Sequence, residues 1–340
     1  MEYRRLGRSG LDVSSLGLGT NNFGRRLPDP KIATQIVHAA MDAGVNFLDT
    51  SNDYGGPHVA EGFIGDALKG RRNQMLIMTK IGSSMGDGPN AAGSGRTHLT
   101  LQLDASLRAL DTDYLDVLMV HRPDPRTPLE ETLRALDDFV RQGKVRYLGT
   151  SNFAAWEMTE AEWVSKTEHL ERFVCVEPEY NMLKRAVESE LVPFCERYGV
   201  GMTPFYPLAG GFLTGKYQRD ADAPEGTRLA IAPNQGKRWL TESYFDALDG
   251  IAGFCERTGH PMVDVAFAWL LANPVVSSVI AGASRPEQVT QNAVSAELRL
   301  TAAEMAELDA ILEPPPTVAG ALAQARESLS AHTRPDATAR

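Results

Sequence analysis

Leu115-Asp116-Val117-Leu118-Met119-Val120-His121 is an almost wholly apolar run that ends on an imidazole. So continuous a hydrophobic stretch suits a strand of a parallel sheet covered on both faces, because a half-exposed strand would alternate instead. The pattern repeats outward from this run. Val45-Asn46-Phe47-Leu48-Asp49 ends on a carboxylate and Leu76-Ile77-Met78-Thr79-Lys80 on an ammonium. Eight short runs rich in β-branched residues read as strands: residues 16–20, 45–49, 76–80, 114–121, 145–150, 173–177, 200–205 and 275–282. Between them lie helix-like segments: residues 32–43 put Ile32, Ile36, Ala39, Ala40 and Ala43 on one face, and residues 129–140 do so with Leu129, Leu133, Leu136 and Val140. Most repeats take about 30 residues, the size of a βαβ unit. Eight of them predict an α/β fold of the (β/α)8 TIM-barrel type rather than an open doubly wound sheet. Ahead of the first strand, residues 3–13, with Gly7 to Gly10 as the turn, read as an N-terminal β-hairpin able to cap the barrel floor.

The chain has 340 residues, 43% of them hydrophobic, enough for a large core, so residues 1–312 are expected to form the barrel. Residues 313–340 open with Pro314-Pro315-Pro316 after Glu313, become rich in Ala, Ser and Thr, and are expected to be a loosely ordered tail. A formal net charge of -10 argues against nucleic acid as a partner, so the basic groups needed for an anionic cofactor must be local. Cys175, Cys195 and Cys255 are odd in number and widely spaced, which suggests reduced thiols in a cytoplasm rather than a disulfide framework or a metal site. The start, Met1-Glu2-Tyr3-Arg4-Arg5, lacks the apolar stretch of a signal peptide. No apolar run reaches the roughly 18 residues of a membrane helix. The seven histidines form no convincing metal-ligand cluster. Two long connections, 82–96 with five glycines and 206–237 with glycines, prolines and charges, follow strand C-termini and would overhang a site there.

In a parallel barrel the C-terminal strand ends converge on one rim, where catalytic groups gather. That rim would collect Asp49, Lys80 and His121, together with Tyr54 from the loop after Asp49. A phenol, an ammonium, a carboxylate and an imidazole suggest proton donation to a carbonyl oxygen. A free tyrosine, with pKa about 10, is a poor acid at neutral pH. A nearby ammonium favours the phenolate, so Lys80 is expected to lower the Tyr54 pKa, with Asp49 holding Lys80 charged and His121 orienting the carbonyl.

At these residues the chain resembles the aldo-keto reductase family. Gly44-Val45-Asn46-Phe47-Leu48-Asp49-Thr50-Ser51-Asn52-Asp53-Tyr54-Gly55 is similar to the family's Asp/Tyr signature, Met78-Thr79-Lys80 to its lysine strand and Leu118-Met119-Val120-His121 to its histidine strand. The resemblance runs in register from about Tyr3 to Leu312. Gly211-Phe212-Leu213-Thr214-Gly215-Lys216-Tyr217 gives it the flavour of the bacterial, potassium-channel-β-subunit-like branch. It implies NADP (NADPH) as cofactor and a small aldehyde, ketone or sugar-like carbonyl as substrate.

The same resemblance implies the cofactor contacts. Ser151 and Asn152 match the residues that hydrogen-bond the nicotinamide carboxamide, and Phe205 the aromatic that stacks on the ring, although the family more often has Tyr-Ser where this chain has Phe205-Tyr206. Thr20, Leu208 and Gly282 complete the cofactor groove, and Lys216 approaches the pyrophosphate. Ser284 and Arg285, in a glycine-bearing turn before a helix that ends near Ser295, would bind the 2′-phosphate, favouring NADPH over NADH. Gln288 and Asn292 would reach the adenine. Gly17-Leu18-Gly19 hints at a dinucleotide fingerprint, but Asn22 stands at the third glycine position and no helix opens there, so it reads as a strand end.

One departure concerns Glu177, which stands where the family usually has Gln. An ionised Glu only accepts hydrogen bonds, and near the nicotinamide its charge would favour the cationic, oxidised cofactor. Asn22, Phe23, Tyr54, His121 and Arg122 are candidate substrate-rim residues, while Arg122 and Asp124 could bind a polar substrate or simply order their loop. Two rival functions share these residues: an NADP(H)-binding redox sensor or regulatory subunit with slow turnover, and a lyase using Lys80 as a Schiff base.

Overall fold

Eight parallel strands curl into a barrel, and the element order follows from local chemistry. The computed structural model describes residues 1–231, 236, 238–312 and 314. A two-stranded antiparallel hairpin comes first, β1 (Tyr3–Arg5) and β2 (Asp12–Ser14). The barrel strands follow: β3 (Leu16–Gly19), β4 (Phe47–Asp49), β5 (Leu76–Ile81), β6 (Leu115–Val120), β7 (Val145–Ser151), β8 (Phe173–Glu177), β9 (Gly201–Met202) and β10 (Val279–Gly282). They lie in the order β10-β3-β4-β5-β6-β7-β8-β9, all parallel. The curl is joined where Met202 bridges Val276, with Met202 N donating to Val275 O at 2.7 Å and Ser277 N donating to Met202 O at 2.8 Å.

Helices connect the strands. Pro30–Asp42 starts where the Asp29 carboxylate accepts from Lys31 N and Pro30 presets the first turn. Leu129–Arg141 buries Leu133, Leu136 and Phe139 and carries acids in its first turn, where the helix dipole favours them. Leu191–Tyr198 and Glu242–Thr258 both end at left-handed glycines, Gly199 and Gly259. Ala302–Ile311 begins at a reciprocal Thr301/Glu304 capping box.

The barrel has two cores. The outer one lies between strands and helices. The inner one is small and closed from below: Leu6 and Val13 of the hairpin region pack with Phe47, Met78, Val117, Met119, Cys175 and Ile280. Gly7, at φ +57°, seats the hairpin there, because an added Cβ would come within 2.6 Å of Gly199 O, Gly201 N and Val174 O. Arg8 N donates to Gly199 O and Ser277 Oγ to Arg5 O, both at 2.8 Å. The barrel therefore opens at its C-terminal rim.

Five strands are shorter than the sequence suggests: β3 and β6 lose only single residues at their ends, while β4, β9 and β10 are cut back for identifiable reasons. Residues 45–46 stay outside β4, because Val45 N is held by Ala40 O at the helix end and Asn46 bonds to Ser14 of the hairpin. In the run 200–205 the ladder stops at Met202, since Pro204 has no N–H to donate. In the run 275–282 the first residues join β9 and only Val279–Gly282 pair with β3. The expected tail, 313–340, falls outside the described residues apart from Pro314. Residues 232–235 and 237 of the second long connection do so too.

Candidate active site

β4 and β5 are neighbours and β8 stands away from them across β6 and β7, yet Asp49, Lys80 and Glu177 at or near their C-terminal ends meet. The Lys80 ammonium pairs with Asp49 Oδ1, donates to Thr50 O at 3.2 Å and lies 3.3 Å from Tyr54 Oη. Glu177 Oε2 stands 3.1 Å from the same nitrogen, in ion-pair contact without good hydrogen-bond alignment. Lys80 is fully buried, and Asp49 and Glu177 nearly so. Burial works against the Lys80 charge, but Asp49 and then Glu177 outweigh it and hold the ammonium well above its ordinary range. An ammonium so held is not a nucleophile, so Lys80 is a poor Schiff-base residue.

Tyr54 departs from expectation. Burial pushes its phenol far above the ordinary value, and although Lys80 pulls the other way, Asp49, Glu177 and Asp53 reinforce burial. The expectation that Lys80 alone would lower this pKa counted one ammonium. The folded site sets three carboxylates against it, so Tyr54 is a firmly protonated phenol here. Glu177 is also unusual: burial first, then Asp49, pushes its carboxyl up to about 8.

His121 lies just beyond β6 and is 7% exposed. Its Nδ1 is 3.1 Å from both Ser51 Oγ and Ser83 Oγ and 3.7 Å from Asp53 Oδ1. Burial raises the Asp53 pKa, but His121 and the two serine hydroxyls more than offset it and leave the carboxyl below its ordinary range. The His121 ring meets Tyr54 edge-on, centroids 6.0 Å apart. Ser51, Asp53 and Ser83 thus fix the imidazole. Nothing in the sequence singled them out, though Ser51 and Asp53 lie inside the Asp49–Tyr54 stretch.

The expected cofactor residues occupy the neighbouring arc. Ser151 Oγ donates to Glu177 O at 3.0 Å, and Asn152, at φ +63°, donates through Nδ2 to His121 O at 3.1 Å. Thr20 is buried, with its hydroxyl donating to Asp49 O at 2.9 Å, so it ties β3 to β4. Phe205 and Tyr206 follow β9, half-buried and edge-to-face at 5.2 Å. Leu208 is half-buried and caps the kinked 3-10 segment Ala209–Thr214. Gly282 pairs with Gly19. Ser284 N and Oγ both donate to Gln288 Oε1, at 3.0 and 3.1 Å. Arg285 is the exposed N-cap residue of helix Pro286–Ser295, with no side-chain cap bond, and Asn292 is buried in that helix.

Lys216 has company that the sequence reading overlooked. Arg228 donates to Tyr206 Oη at 2.8 Å and lies 4.5 Å over that ring. Arg26, in the loop after β3, donates to Gly226 O at 3.2 Å. Partial burial and Arg228 lower the Arg26 pKa, and partial burial and Arg26 lower that of Lys216. Cations crowded in this way suit a multivalent anion. The basic pair Arg25-Arg26 beside a strand end was the available signal.

Of the expected rim residues Phe23 takes another role, and of the two readings of Asp124 the loop-ordering one matches its bonds. Phe23 is fully buried in the core because its loop turns inward, its N–H bonding Thr20 O. Asp124 orders its loop, accepting from Ser94 N, Arg126 N and Thr127 Oγ1, and so fastens the 82–96 connection to the loop after β6. Asn22 stays at the rim, half-buried.

A barrel whose rim joins an Asp–Lys pair to a tyrosine and a histidine is the architecture of a carbonyl-handling oxidoreductase. The aldo/keto reductase family profile matches residues 15–313, and the chain belongs to that family, whose members are oxidoreductases working with NAD(P)H on small carbonyl compounds. It is 40% identical to a probable voltage-gated potassium channel subunit beta of Oryza sativa subsp. japonica, over 86% of this chain and 90% of that protein. It is equally similar to a counterpart of Arabidopsis thaliana, at 40% identity with the same coverage. With the uncharacterized oxidoreductase YrpG of Bacillus subtilis (strain 168) it shares 36% identity over 88% of this chain and 92% of the relative. Among the described residues no helix is long and apolar enough to cross a membrane.

Proposed function

We propose that the protein is an NADPH-dependent reductase that converts a small aldehyde, ketone or sugar-like carbonyl to an alcohol, with Tyr54 as the proton donor. The observation that carries this reading is the contact of Tyr54 Oη with Lys80 Nζ, 3.3 Å, inside a buried Asp49–Lys80 pair at the barrel's open rim.

The residues present fit the cofactor. The crowded Arg26, Lys216 and Arg228 suit a pyrophosphate, and the exposed Arg285 at the helix start, beside a Ser284 that donates to Gln288, suits a second anion, the 2′-phosphate that distinguishes NADPH. Ser151 and Asn152 would hold the carboxamide, Phe205 and Tyr206 with Leu208 the ring face, and Gln288 and Asn292 the adenine. Thr20 and Gly282 would close the groove between them. When bound, the cofactor supplies the hydride. The chain's own residues do the rest. His121, its ring fixed by Ser51, Ser83 and Asp53, orients the carbonyl oxygen beside Tyr54. Tyr54 protonates that oxygen as charge develops on it. Lys80, kept cationic by its carboxylates, stabilises the phenolate that forms. Residues 1–312 would act as one catalytic domain, in a cytoplasm where thiols stay reduced.

The test is a titration with NADPH and NADH by quenching of intrinsic fluorescence, followed by turnover on a panel of aldehydes, ketones and sugars. NADPH should bind more tightly, and Tyr54→Phe should lower turnover by about 10²–10⁴ with cofactor affinity kept. Turnover unchanged in Tyr54→Phe would end the reading. The similarity to channel β subunits favours a second reading, a cofactor-binding sensor. Tight NADPH binding with no turnover on any carbonyl would select it.

A further inference from the structure

We infer that Glu177 is a positioning and proton-storing residue: with Asp49 it grips Lys80 from two sides, holds one proton between the two carboxyls, and releases that proton when oxidised cofactor is seated. This rests on the oxidoreductase reading above for its link to the cofactor.

The geometry leaves one charge too many. Asp49 and Glu177 both reach the single Lys80 ammonium, which brings two buried carboxyls together on one cation. Below them is the apolar inner core of Phe47, Met78, Val117 and Met119. Two ionised carboxylates on one ammonium would bury a net negative charge, which a shared proton removes. The groups facing Glu177 are Asp49 from β4, Asp53 and Tyr54 from the loop after it, Lys80 from β5 and Cys175 from β8 itself, with His121 beyond Asp53. Tyr54 and Lys80 titrate far above neutrality and Asp53 below its usual range, while burial holds Cys175 as a thiol. Of these groups Glu177 is the one that burial and then Asp49 push up to about 8.

The pair sits where a cofactor's charge would be felt. Glu177 O accepts from Ser151 Oγ at 3.0 Å and Asn152 N at 3.2 Å, the two residues assigned to the nicotinamide carboxamide. A cationic ring there favours the doubly ionised pair, and a neutral reduced ring does not. The proton path balances in the reductive direction. Tyr54 gives its proton to the carbonyl oxygen, Lys80 gives one to the phenolate, and the pair gives one to Lys80 and regains it from solvent once the oxidised cofactor has left. Gln, which the family more often carries at this position, can hold the same shape but cannot store the proton.

The measurement is proton exchange on cofactor binding, by calorimetry at pH 7 in buffers of different ionisation heat, for wild type and Glu177→Gln. Wild type should release close to one proton per NADP bound and none per NADPH. Its NADP affinity should rise by up to about tenfold per pH unit from pH 6 towards pH 8, then level off. Glu177→Gln should release none and show a flat profile. No release from wild type, or equal release from Glu177→Gln, overturns the proposal. Should neither cofactor bind, the oxidoreductase reading fails instead. The cofactor-free infrared difference between wild type and Glu177→Gln then decides the proton store alone: a protonated-carboxyl band at pH 7 that fades above pH 8 supports it, and its absence overturns it.

Discussion

The two halves of the site are built on opposite principles. Around Lys80 the side chains are buried, rigidly bonded and oversupplied with carboxylates. Around Lys216 they are exposed or half-buried, carried on loops, and oversupplied with cations. The first arrangement holds a protonated phenol beside a charged ammonium, so the proton to be given and the charge that stabilises its loss are both in place. The second leaves positive charge waiting for a ligand. Mutations should therefore damage the first half through folding and the second through binding.

The largest effect should come from Lys80→Met, which strands two buried carboxyls without their cation. Breaking a buried pair in this way costs about 3–5 kcal/mol. Urea unfolding should register that loss at neutral pH, and Lys80→Met combined with Glu177→Gln should recover part of it. Full stability in Lys80→Met alone would mean that the rim is wetter than its burial indicates.

Next comes pH. The folded-state Glu177 pKa, about 8, lies above the unfolded value, so the folded state binds the extra proton. Its stabilising contribution is complete below the ordinary carboxyl range and is lost as pH rises towards 8. The slope in that window reaches at most about 1.4 kcal/mol per pH unit. Unfolding free energies measured across the window should fall with pH in wild type and flatten in Glu177→Gln. Equal slopes would remove Glu177 from the account.

Substitutions in the cationic half should be gentler and should spare the fold. Lys216→Ala or Arg228→Ala should weaken NADPH by roughly tenfold, less at high salt, as for loss of one charged hydrogen bond. Arg26→Ala should leave the melting temperature unchanged or raise it slightly, because it relieves crowding with Arg228 and Lys216. The smallest and most selective change belongs to Arg285→Ala. It should lower NADPH affinity by up to about tenfold and leave NADH untouched, and affinity titrations with both cofactors would check that. A parallel loss of NADH would detach Arg285 from the 2′-phosphate.

What the sequence could reveal follows the same division. Strands such as Leu115–Val120 declare themselves by composition, and Asp49, Lys80 and His121 by their place at the ends of such runs. Tyr54 was also legible, since its loop follows a strand end. Its protonation was not, because it depends on how many carboxylates the fold brings to one ammonium. Glu177 is the clearest case. A sequence shows that an acid stands where an amide is usual, but not that β8 turns it towards Lys80, a residue almost a hundred positions away. Arg26 and Arg228 were missed for a related reason: the loop after β3 and the 206–237 connection bring their cations together only when both fold over the same rim.

The hairpin beneath the barrel carries a cost in time. Arg4 donates to Leu271 O and Val276 O, contacts 267 and 272 positions apart, and β3 pairs with β10. Arg4 and β3 thus wait for residues 271–282 to be synthesised before they find these partners. Until residues 275–282 are synthesised, β3 and β9 are open strand edges on an apolar sheet, the kind of surface that invites aggregation. Slow elongation late in the message would prolong that exposure, so the yield of active protein should depend on translation speed and chaperone supply more than its final stability suggests.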